Sequence, residues 1–336
     1  MENRRELMQR ALANQEVDRV PVGFWHHFVL GRDQFEGLKD SSILESVVQG
    51  HIDYFNLVQP DMMKIMSEGF FGYPPVMDNP LRTAEDLLRV RAIGEDHPWI
   101  QEQVRHVKRI SELFKDKVMT FYNIFAPLQI IRIKFDFFDH DYNHFSEIAD
   151  RFPEELSQAG LEIQKDVKAL VRLLLKDGIV DGIYYPVQNI QSEKYDFETY
   201  QRLITSTELP LLEEANHLSD NNILHICGYS HYKNNLNFYL NYPAKIYNWA
   251  VHATSITIAE GRKLFPGKCI LGGFDNNPNT LIDTGSEEEL YEYTQNLIQE
   301  NGYKGYVIGA DCSVPNDIDD HQLKIIREAA HLYRKN

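Results

Sequence analysis

Short apolar runs alternate with amphipathic helical stretches from one end of this 336-residue chain to the other. Eight runs have the length and content of buried strands: Val20–Trp25, Asp61–Met66, Val118–Asn123, Val180–Tyr185, Asn222–Cys227, Lys245–Ala250, Lys268–Gly273 and Gly305–Ala310. Between them lie stretches such as Glu154–Lys176, whose Leu156, Ile163, Val167, Leu170, Leu173 and Leu174 form a helical stripe. Ser286–Gln299 opens on a Ser-x-x-Glu capping box, Ser286 to Glu289, and a last helix is expected near Asp319–Lys335. Strands alternating with helices pair in parallel, and eight such units predict a (β/α)8 TIM barrel. A doubly wound open sheet is the alternative, but no Gly-x-Gly-x-x-Gly follows any of the runs. The expectation is an α/β fold with residues 1–336 as a single barrel domain. It carries an N-terminal helical extension over Arg4–Asn14 and a long insertion, residues 67–117, after the second strand. The aromatic and polar stretch Asp136–Asp150 is expected to form a lid or an interface.

Barrels of this kind place their chemistry at the C-terminal ends of the strands. Here those ends carry Trp25, His26 and His27, then Glu68, then Tyr185, then His225 and Cys227, then His252, then Asp275 and Asn276, and last Asp311 and Cys312. Residues two apart on a strand point to the same face, so His225 and Cys227 aim at one place. Cys312 follows another strand, and the three together predict a zinc site with three protein ligands and an open fourth position. The plainer account of the same residues stays open. A buried Cys is often a small hydrophobe, and a His beside it is often a core polar group with a satisfied hydrogen bond. Cys269, at the start of a strand, is expected to be structural.

Composition excludes several classes. A net charge of −16 argues against nucleic acid and anionic membrane surfaces as partners. No apolar run reaches the length of a membrane span, and Met1–Glu6 lacks the apolar core of a secretory signal. Three cysteines are too few for a disulfide framework, so a cytoplasmic location is expected.

The chain resembles the uroporphyrinogen decarboxylase superfamily. Leu7-Met8-Gln9-Arg10-Ala11-Leu12 and Val17-Asp18-Arg19-Val20-Pro21-Val22 are similar to its N-terminal signature. Leu271-Gly272-Gly273-Phe274-Asp275, then Leu281, Gly285, Glu288 and Glu289, then Gly309-Ala310-Asp311-Cys312 and Pro315 are similar to its late segment. The resemblance implies a distorted barrel with a deep mouth, often a homodimer. It also implies one of two chemistries. The decarboxylases hold a carboxylated tetrapyrrole without a metal, using arginines in a Met-Arg-Gln-Ala-Gly-Arg pattern and an aspartate after the second strand. Here Phe24-Trp25-His26-His27-Phe28-Val29-Leu30 stands in that place, Arg32 is off register, and the aspartate position carries Glu68. Imidazole replaces guanidinium poorly as a partner for carboxylates, which weighs against that substrate.

The other branch resembles the methylcobamide:thiol methyltransferases, which move a methyl group from methylcobalamin on a corrinoid protein to coenzyme M or a similar thiol. Their zinc-binding His-x-Cys and distant Cys match His225, Cys227 and Cys312. The expected function is therefore zinc-dependent (Zn2+) methyl transfer from a corrinoid protein to a small thiol. The alternatives are a tetrapyrrole carboxy-lyase and a non-catalytic corrinoid- or tetrapyrrole-binding homologue. Around the zinc, two roles are open to Glu68, proton acceptor or fourth ligand. Asp275 and Asn276 are expected to orient His225, and His26, His27 and Asn276 to meet substrate.

Overall fold

The computed structural model describes residues 3–189, 195–229 and 233–335. Seven of the eight expected strands form one parallel sheet in sequence order: β1 (Met62–Ile65), β2 (Met119–Asn123), β3 (Gly182–Val187), β4 (Ile223–Ile226), β5 (Ile246–Trp249), β6 (Cys269–Phe274) and β7 (Tyr306–Ala310). Every residue in them is buried. Both faces of the sheet are covered, which is why these strands read as continuous apolar runs rather than as alternating ones.

The first run departs from expectation. Val20–Trp25 makes only a single parallel bridge, Val22 to Ile308, instead of a strand. It nevertheless lies between the two ends of the sheet. On one side Gly23 N–H donates to Ile308 O and Ile308 N–H to Pro21 O, at 2.9 and 2.8 Å; on the other Asp61 N–H donates to Val22 O at 2.9 Å. The ladder stops there for local reasons. Pro21 has no N–H, and the N–H of Val22 goes to the Asp61 carboxylate at 2.9 Å, not to a backbone carbonyl. The result is an α/β fold with a curled parallel sheet of the TIM-barrel kind.

Helices cover the outside. Helix Asp320–Leu332 packs against both Glu287–Asn301 and Ser41–Val58, joining the end of the chain to its beginning. The capping box at Ser286 and Glu289 forms as its spacing predicts. Residues 66–118 hold three helices, Pro74–Met77, Ala84–Leu88 and Pro98–Phe114. The stretch Asp136–Asp150 contributes the end of a π-helical turn, Lys134–Asp139, and most of a helix, His144–Arg151.

Helix Arg4–Leu12 closes the end of the sheet where the strands begin. Its Leu7, Met8, Ala11 and Leu12 join Met62, Met119, Ile223, Ile246, Cys269 and Val307 in one buried cluster. Arg5 anchors it through an ion pair to Asp181. That cluster also fixes which way the strands face. Ile223 points inward, so His225 and Cys227 follow it into the interior, while Leu224 and Ile226 pack outward against the helices.

Candidate metal and substrate site

The interior above that cluster opens into a cavity of about 510 Å3 at the C-terminal ends of the strands. His225, Cys227 and Cys312 line it together. The β-ladder continues one residue beyond β4, where Cys227 N–H donates to Val187 O at 2.8 Å. Beyond β7, Asp311 N–H donates to Phe274 O at 2.9 Å and fixes the start of the Asp311-Cys312 turn. The two sulfurs lie 3.9 Å apart, both cysteines are free thiols, and one donor atom from each of the three residues lies within 4.8 Å of the others.

These dimensions fit zinc. Two sulfurs bound tetrahedrally at ~2.3 Å from one ion stand ~3.8 Å apart, whereas a disulfide would bring them to ~2 Å. His225 supports the same fit. Its side chain is 1% exposed, and among the described residues its ring nitrogens have no partner beyond the neighbouring Cys312 sulfur. A buried imidazole nitrogen left without a partner costs about 1–3 kcal/mol, a cost that a bound cation would offset. The hydrogen bond with Cys227 first, then the charge and hydrogen bond of His225 and the charge of Lys64, outweigh burial and hold the Cys312 thiol well below its ordinary range.

Beneath the three ligands lies a floor that the strand pattern did not reveal. Lys64, in the middle of β1, places its ammonium 4.0 Å from the ring centre of Tyr184 and 5.0 Å from that of Trp25. Burial lowers this ammonium to about 8, opposed by the negative charge of Cys312, Glu68 and Cys227. The Tyr184 ring also packs 5.1 Å from that of His225. Its hydroxyl donates to Asn248 Oδ1 at 2.8 Å, and Asn248 Nδ2 donates to the carbonyls of Leu271 and Ala310. The floor therefore ties β1, β3, β5, β6 and β7 together under the site.

The other expected site residues divide. His27 lines the cavity, with its Nδ1 2.8 Å from Glu68 Oε1. Glu68 itself is fully buried; burial would raise its carboxyl, but the hydrogen bond and charge of His27 outweigh this and hold it below its ordinary value. It stands outside the compact ligand group, so the fourth-ligand role does not fit its position. His26 turns away from the cavity, its Nε2 3.0 Å from Asp320 Oδ1 on the outer helix. Asp275 does not orient His225, because its Oδ1 accepts from the N–H and side chain of Asn277 at 3.0 and 2.6 Å. Asn276 lines the cavity but spends its Nδ2 on Ser313 O at 3.0 Å. Tyr185 faces the helices, donating to Glu208 O.

Asp311 and His252, both on the expected rim, form a pair. Asp311 Oδ2 accepts from the N–H and Nδ1 of His252 at 2.8 and 3.0 Å, and its Oδ1 is buried without a hydrogen-bond partner among the described residues. On the far wall Arg132 and Asp136 line the cavity and pair with each other at 2.9 Å.

Residues 57–333 match the family model described as uroporphyrinogen decarboxylase (URO-D). The chain belongs to the uroporphyrinogen decarboxylase family. Among solved structures, this family member is similar to a methyltransferase from Methanosarcina mazei, at 15% identity over 99% of both chains with a TM-score of 0.70. It is also similar to a B12-independent methionine synthase from Shewanella sp. W3-18-1, at 12% identity over 93% of this chain and 96% of that one, with a TM-score of 0.55. At these identities the likeness is one of fold. No curated protein sequence matches the chain. No helix among the described residues is long and apolar enough to cross a membrane.

Proposed function

We propose that this uroporphyrinogen decarboxylase family member is a zinc-dependent methyltransferase that moves a methyl group from a corrinoid carried by a partner protein to a small thiol. The observation that carries the reading is the convergence of His225, Cys227 and Cys312 at the foot of a cavity of about 510 Å3. Taken this way, residues 20–25 act as the eighth stave of the barrel, with the N-terminal helix as an extension and residues 67–117 as an insertion.

The three side chains would hold the ion, with the cavity side left for substrate. Zinc bound there would supply a Lewis acid that lowers the pKa of a coordinated thiol, so that its sulfur would be a thiolate at neutral pH. With Cys227 and Cys312 ionised, their charges would cancel that of the ion, and the substrate sulfur would keep its electron density. In the transfer, that sulfur supplies the pair for the new S–C bond. The pair of the cobalt–carbon bond stays on the corrinoid, and the thiol proton leaves to solvent.

The cavity walls shape what enters. A volume of this size suits a small molecule, so the corrinoid would stay on its carrier at the mouth. His27, held in one orientation by Glu68, presents an imidazole edge to the cavity, and Asn276 lies on its rim. A carboxylated tetrapyrrole suits these walls less well. Arg132, the one lining guanidinium among the described residues, is neutralised by Asp136, and His26 points out of the cavity.

The test is methyl transfer from methylcobalamin to small thiols such as 2-mercaptoethanol and 2-mercaptoethanesulfonate by the zinc-loaded protein. Transfer that is lost in Cys227→Ser is expected. Turnover of a carboxylated tetrapyrrole by zinc-free protein, with no thiol methylation, would overturn the proposal.

A further inference from the structure

Lys64 stands where the rest of β1 is apolar. The strand and its flanks read Met62-Met63-Lys64-Ile65-Met66, and Lys64 is 6% exposed. Among the described residues its ammonium has no ion pair; only the faces of Tyr184 and Trp25 hold it. A buried ammonium without a carboxylate is costly, and a fold retains one readily only where an anion compensates it. The nearby carboxylates already have partners, Glu68 with His27 and Asp311 with His252. Lys64 shares the cavity with Cys227 and Cys312, and the Tyr184 ring that seats its ammonium packs 5.1 Å from the His225 ring. Lys64 and Arg132 are the cavity's only lining ammonium and guanidinium groups among the described residues, and Arg132 is paired to Asp136.

We propose that Lys64 is the counter-charge of the thiolate cluster, a positioning residue that allows the site to hold a third thiolate. This rests on the zinc–thiol reading above. With two cysteine thiolates, a neutral imidazole and a divalent ion, the cluster is neutral; a bound substrate thiolate makes it −1 in a buried site. The ammonium of Lys64 returns the sum to zero without touching the sulfur that reacts. Its aromatic seat keeps the charge in place because cation–π contacts hold an ammonium while supplying no negative charge that would cancel it.

The experiment titrates cobalt(II)-loaded wild type, Lys64→Met, Lys64→Gln and Lys64→Arg with 2-mercaptoethanol, following the thiolate-to-cobalt charge-transfer absorption. This thiol has no charged tail, so it reports on the sulfur alone. Wild type and Lys64→Arg are expected to bind it with similar affinity. Lys64→Met and Lys64→Gln are expected to bind it roughly 30-fold more weakly, as the loss of one charge lining the same largely buried cavity implies. All four should keep one cobalt per chain. Equal affinity in wild type and both neutral variants would overturn the role of Lys64 while leaving the metal site standing. A loss seen only with an anionic thiol such as 3-mercaptopropionate would also overturn it, because Lys64 would then grip the tail. A wild type that binds cobalt but shows no thiolate band would overturn the functional reading itself, and this inference with it.

Discussion

Asp61 holds Arg19 and the backbone of Val22 at once. Its two oxygens accept from the Arg19 guanidinium at 2.7 and 2.6 Å, and one of them also accepts the Val22 N–H at 2.9 Å, with both charged side chains 0% exposed. This pair seats residues 20–25 between β7 and β1. Removing one partner leaves the other charge buried and alone, which costs about 3–5 kcal/mol. Asp61→Ala is therefore expected to lower the urea midpoint by that equivalent. A loss below about 1 kcal/mol would show that the closure does not depend on the pair.

The same relationship explains what could be read from the sequence. Seven strands were legible because burial on both faces writes them as apolar runs. The first run, Val20–Trp25, was legible as apolar, but its failure to form a full ladder depends on a carboxylate 39 residues away in the sequence, which no local pattern reveals. The His225–Cys227 alignment followed from strand period alone, and Cys312 from the order of strand ends. Direction was the harder part. His26 and His27 are adjacent, so they face apart, and only His27 reaches the cavity. Asp275 looked like a partner for His225 but is taken by its own turn, as a short acceptor beside a free N–H often is. Lys64 was missed because it was absorbed into a strand; the signal was a single ammonium amid Met and Ile.

Glu208 gives a pH dependence away from the site. Burial raises its carboxyl to about 8, although Tyr242 donates to its Oε2 at 2.9 Å. The folded state thus holds this proton to higher pH than the unfolded chain, whose glutamate titrates near 4.5. The stability from the protonated form is full below 4.5 and is lost as the pH rises towards and through about 8. Glu208→Gln, which stays neutral, is expected to flatten denaturation midpoints across that window. An unchanged slope would contradict the burial of a neutral Glu208.

The outer layer has a position with no room. A Cβ added at Gly261, on helix Ile258–Leu264, would fall 2.1 Å from a ring carbon of Trp249 on β5. The indole is fixed by its Nε1 donating to Ile256 O at 3.0 Å, so helix and strand must separate instead. Gly261→Ala is expected to destabilise by about 1–3 kcal/mol despite its better helix propensity. A gain in thermal midpoint would mean that the helix moves freely on the sheet.

The central claim is that His225, Cys227 and Cys312 are one metal site, and zinc content per chain tests it most directly. Protein purified without added metal is expected to carry about one zinc in the wild type and little in Cys312→Ser, with both folded. A folded wild type that is metal-free, and stays so when zinc is offered, would contradict the account.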